Sequence, residues 1–73
     1  MRSIEGLVTI VQEGRFQLLD RDGVAHQFLL AHDAPLEPEQ LPSLLQRRVR
    51  VAFTDPGGVI GHLANRIDAL DAA

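Results

Sequence analysis

The feature that most constrains this chain is a succession of short segments alternating polar and apolar residues, each closed by a turn sequence. A period of two gives a segment one face to bury, as in a half-buried strand. Between Gly6 and Gln12, Val8 and Ile10 share the apolar parity and β-branched residues dominate, which predicts a first strand. Glu13-Gly14 is a tight connection. Arg15-Phe16-Gln17-Leu18-Leu19 then alternates with Phe16 and Leu18 on one face, a second strand antiparallel to the first. Asp20-Arg21-Asp22-Gly23 is the strongest turn signal, because Asp side chains bond nearby backbone and glycine takes the positive φ that closes a hairpin. Val24 to Leu30 completes a three-strand meander.

From Ala31 to Pro42 the character changes, with Pro35, Pro38 and Pro42 among Asp33, Glu37 and Glu39. Leu41, Leu44 and Leu45 have the spacing of a helical face. A proline fits the first turn, where its missing N–H costs nothing, so a helix of about two turns ending near Gln46 is expected. Arg48 to Thr54 alternates again, with Val49, Val51 and Phe53 on one side and Arg48, Arg50 and Ala52 on the other. Asp55-Pro56-Gly57-Gly58 is a turn. The last segment fits either a strand (Val59, Gly61, Leu63) or a helix (Ile60, Leu63, Ile67, Leu70). A strand from Val59 to Asn65 is preferred, since the preceding strands leave an edge that needs pairing, with a helical turn after it.

Seventy-three residues suit one domain spanning residues 1–73. The absence of cysteine rules out a disulfide framework and a thiolate zinc site. A net charge of −3 argues against a generally basic surface, and all seven basic residues are arginine. No apolar run has the length of a membrane span or a secretory signal, so a soluble cytoplasmic protein is expected.

The order β-β-β-α-β-β predicts a mainly β fold. The expected form is a small five-stranded antiparallel barrel of the oligonucleotide/oligosaccharide-binding (OB) kind, with one short helix between strands three and four. An SH3-like barrel is the competing architecture. The layout resembles the cold-shock domain. Gly6-Leu7-Val8 matches its opening strand, Gly14 to Leu18 with Asp22-Gly23 its second strand and turn, and Phe28 a strand-three phenylalanine. Val51-Ala52-Phe53 and the tail from Gly61 to Leu70 match its closing elements. The resemblance implies single-strand binding on exposed aromatics. Here Arg15 and Gln17 replace two such phenylalanines, Glu13 replaces a lysine and Leu30 a histidine.

The candidate nucleic-acid site is therefore Arg15, Gln17, Phe28, Leu30, Arg48 and Arg50, with Phe28 the sole stacking platform left and barrel packing its competing role. Arg47-Arg48-Val49-Arg50 is the basic cluster, which serves equally as a solvated strand face. His26, His32 and His62 match no local metal motif, and no metal or other cofactor is expected. No hydroxyl has a base near it in sequence, so a non-catalytic module is expected. It would bind RNA or DNA single strands weakly. The alternative is a protein-interaction or accessory domain, homodimeric in one form, using Leu7, Val11, Leu19 and Leu29.

Overall fold

A computed structural model describes residues 2–55 and 61–70. Five strands, β1 (Arg2–Gln12), β2 (Arg15–Leu19), β3 (Ala25–Leu30), β4 (Arg48–Thr54) and β5 (His62–Ala69), close into a barrel in the order β1-β2-β3-β5-β4. A 3₁₀ helix, Pro38–Leu44, connects β3 to β4. This arrangement is compatible with an OB-like fold.

The strands are not all antiparallel as expected. Phe28, Leu29 and Leu30 of β3 pair in parallel with His62, Leu63 and Ala64 of β5. The reason is parity: directions that alternate around a ring of five must leave two like-directed neighbours. β3 and β5 are those neighbours, and their ladder is the shortest in the barrel.

β1 begins at Arg2, ahead of the expected Gly6. Its first half pairs with β4, from Arg2↔Phe53 to Leu7↔Arg48, and its second half with β2, from Leu7↔Leu19 to Gln12↔Arg15. Leu7, paired with both Leu19 and Arg48, is thus the residue where one strand passes between two partners, and it is preceded by Gly6. A Cβ on Gly6 would meet the Leu19 carbonyl oxygen at 2.4 Å and Leu18 Cγ at 2.9 Å. Backbones approach this closely only where no side chain intervenes.

A register shift between Val8 and Ile10 marks a bulge in β1. Val8 points into the barrel, whereas Ile10 is 52% exposed and Val11 packs against the core. The extra residue reverses the parity that simple alternation predicts.

The helix is a 3₁₀ element ending at Leu44. With three residues per turn, Leu41 and Leu44 share a face and Leu45 swings outward. Leu41 is fully buried, Leu44 packs partly against the core and Leu45 is exposed. The Gln40 side chain accepts from the Glu37 N–H at 2.8 Å, fixing the helix start.

β5 runs to Ala69, with Ile67 and Ala69 opposite Val51 and Val49 of β4. Strand therefore occupies the place of the expected helical turn, because β4 offers partners along its whole length. Val59 and Ile60 lie outside the described residues. The core gathers Val8, Phe16, Leu18, Phe28, Leu41, Val49, Val51, Phe53 and Ala64. Within it Phe16 stacks on Phe28 at 5.2 Å between ring centres, and Phe28 meets Phe53 edge-on at 5.4 Å.

Candidate functional site

The hairpin turns set which residues face out on β1, β2 and β3. At the first, Glu13 adopts φ 58°, a conformation that favours glycine or asparagine. At the second, Asp20 Oδ1 accepts from the N–H groups of Asp22 and Val24, both at 2.9 Å, and Gly23 has φ 83°. Arg15 then lies between Gln12 and Leu29, and Gln17 between Ile10 and Gln27. The Gln27 amide donates to Gln17 Oε1, and Gln17 Nε2 donates to Thr9 Oγ1 at 3.1 Å. One hydrogen-bonded ladder therefore ties three strands together.

Arg15 stands between two shallow hollows. One is lined by Ile10, Gln12, Phe16, Gln17 and Gln27, the other by Gln27, Phe28, Leu29 and Gly61. Ile10 and Leu29, 52% and 43% exposed, flank this polar strip. Alternation assigned Ile10 to the interior and so missed it. The adjacent apolar pair Ile10-Val11 is the signal that a bulge could lie there.

Of the six sequence-predicted residues, only Arg15 and Gln17 sit together on this face. Phe28 is 2% exposed and locked between Phe16 and Phe53, so it offers no ring to a base. Its inward parity on β3 is the physical reason. Leu30 is half-buried against the core. Arg48 and Arg50 lie on the β1–β4 flank, opposite Leu7 and Glu5. Leu7 precedes Gln12, the partner of Arg15, by five positions along β1, about 17 Å at the usual rise. Arg50 also donates to Glu5 Oε2 through Nε at 3.0 Å and Nη2 at 2.6 Å. That hydrogen bond, helped by the guanidinium charge, holds the Glu5 carboxyl below its ordinary value. Leu7, Val11 and Leu19, expected as exposed apolar residues, are half-buried, and Leu29 alone of that set is exposed.

A second polar cluster forms where β3 and β5 begin and β2 and β4 end. His26 Nε2 meets Asp20 Oδ2 at 2.8 Å, and His62 Nδ1 is bonded to Asp55. Arg2 also bonds Asp55 and lies over the Phe53 ring, 5.0 Å from its centre. His62 packs on Phe53 and Phe28, at 4.7 and 5.4 Å between ring centres. Asp20 is held below the ordinary aspartate range, first by the His26 hydrogen bond and then by the Val24 N–H. Asp55 is lowered too, chiefly by the hydrogen bond to His62, with Arg2 adding to it.

No family model matches the chain, and no curated protein or solved structure shows significant similarity to it. Among the described residues, no helix is long and apolar enough to cross a membrane.

Proposed function

We propose that the chain is a non-catalytic OB-like binding module that uses the β1–β2–β3 face to contact a protein, a second copy of itself being the first partner to test. The observation that carries this reading is the exposure of Ile10 and Leu29 on either side of Arg15 and a cross-strand amide ladder. Apolar anchors within a polar surround, with an arginine at the centre, are the composition of a protein contact. Rigid strands hold all of these groups, so little ordering is required on binding. An OB-like barrel is supported over an SH3-like one by the strand order and by the helix between β3 and β4. The cold-shock resemblance lends support to the scaffold alone, since its stacking aromatics have no exposed counterpart among the described residues.

Sedimentation velocity from about 10 μM to 1 mM, a range that brackets weak association, tests the reading. The expected result is a concentration-dependent shift abolished by Ile10→Asp with Leu29→Asp. A strictly monomeric profile throughout would remove self-association.

A second reading, weak single-strand nucleic-acid binding, is favoured by one observation. Arg15 makes no side-chain hydrogen bond or ion pair with the described residues, so its guanidinium is available to a phosphate. Arg48 and Arg50 would be secondary contacts on the neighbouring flank. Titration with mixed oligonucleotides at low salt should then shift the amides around Arg15 and Gln17. Unchanged spectra would end that reading.

A further inference from the structure

We propose that His26 and His62 together form a binding site for one late first-row divalent ion, such as Zn(II), completed by water. The two residues are far apart in sequence, and the barrel makes them diagonal neighbours. His62 pairs with Phe28 across the parallel β3–β5 ladder, and His26 precedes Phe28 by two positions with the same parity. Their ring centres are 6.4 Å apart. A shared ion about 2 Å from each nitrogen places the ring centres about 6 Å apart when the two nitrogens lie trans and about 5 Å apart at a tetrahedral angle. The rings therefore stand at the trans span, and a tetrahedral ion would draw them about 1 Å closer.

Each ring has one nitrogen engaged and one available. Asp20 holds Nε2 of His26, and Asp55 holds Nδ1 of His62. Nδ1 of His26 and Nε2 of His62 have no partner among the described residues, and neither is sealed from solvent. A carboxylate on the far nitrogen fixes a ligating imidazole's tautomer and raises its basicity, an arrangement common behind metal-bound histidines. Imidazole ligands suit zinc, nickel and copper rather than magnesium or calcium. No three His, Cys or carboxylate side chains among the described residues converge on one point, so water must fill the remaining positions. Such a site is open and exchangeable.

The ion would also tie β3 to β5 where their ladder is only three residue pairs long. Anything that binds the folded chain alone stabilises it, so occupancy should raise the melting temperature.

The test uses the tag-free chain and zinc chloride at neutral pH, read from histidine ring resonances and from thermal melts. The expected result is joint movement of the His26 and His62 signals with one ion per chain, still His32 signals, and a rising melting temperature. Magnesium should do none of this. His26→Gln and His62→Gln should each weaken binding about tenfold or more, and Asp20→Asn, which removes a positioning residue, should weaken it within the range of about 10–100-fold. Should a variant fail to fold, Co(II) added to the unaltered chain locates the ion directly, with paramagnetic shifts centred between His26 and His62. The proposal is overturned by an unmoved spectrum up to about 1 mM zinc. It is equally overturned by paramagnetic shifts centred elsewhere, or by a folded single-histidine variant that binds as well as the unaltered chain.

Discussion

The two ends of the barrel are closed by opposite means. Where β3 ends and β4 begins, the 3₁₀ helix presses Leu41 into the core with no exposed surface. Where β3 and β5 begin, His62 sits over Phe28 and Phe53 with His26 beside it, the pair roped to Asp20, Asp55 and Arg2. The first closure is apolar and made by one short segment. The second is polar, depends on charge and is assembled from β1, β3, β5 and the turns that follow β2 and β4. A short chain can stabilise one end by burial and leave the other to respond to its surroundings.

The largest effect should come from the apolar end. Leu41→Ala removes a fully buried side chain and should cost about 2–5 kcal/mol, a large share of what so small a fold holds. Urea denaturation measures it, and a loss below about 1 kcal/mol would mean that the helix is a lid and not a plug. Next is the bend through which β1 links the two ends. Gly6→Ala places a methyl against the Leu19 carbonyl oxygen, so the backbone must yield, with an expected loss of about 1–3 kcal/mol.

At the polar end the expected effect is on pH dependence. Asp20 and Asp55 are lowered in the fold, so their stabilisation is present above the ordinary aspartate range, near 4, and is lost as pH falls through their depressed values. Denaturation midpoints taken from neutral pH downward should fall in that acid window. Asp20→Asn with Asp55→Asn should flatten the fall, whereas Leu41→Ala should leave its shape unchanged. An equally steep fall in the double variant would show that other groups govern acid stability. The smallest effect lies beside the helix, at the apolar end. Glu13→Gly relieves a positive φ at the first hairpin and should raise stability by up to about 1 kcal/mol. A loss would mean that the Glu13 side chain is needed where it is.

The contrast also explains what the sequence could be made to say. Strands β2 and β4 follow their alternation closely, because each buries one face against the same core. The Asp20–Gly23 turn is legible because aspartate and glycine act locally. Ile10 is not, since a bulge inserts one residue and no propensity distinguishes Ile10 from Val11 as the inward one. The parallel β3–β5 contact follows from the ring of five rather than from any residue. Of the candidate site, Arg15 and Gln17 were within reach. Arg48 and Arg50 were misplaced because pairing partners, not parity, decide which flank of a barrel a strand faces. The joining of His26 to His62 rests on closure of the whole barrel, which leaves no mark in local spacing.

The handover at Leu7 has a consequence for how the protein comes apart. β1 spends its first half with β4 and its second with β2, so it belongs to both halves of the ring. Neither half can melt without withdrawing a strand from the other. Backbone signals, core methyl signals and the Asp55–His62 contact should therefore vanish in a single concerted transition, with no half-folded population between.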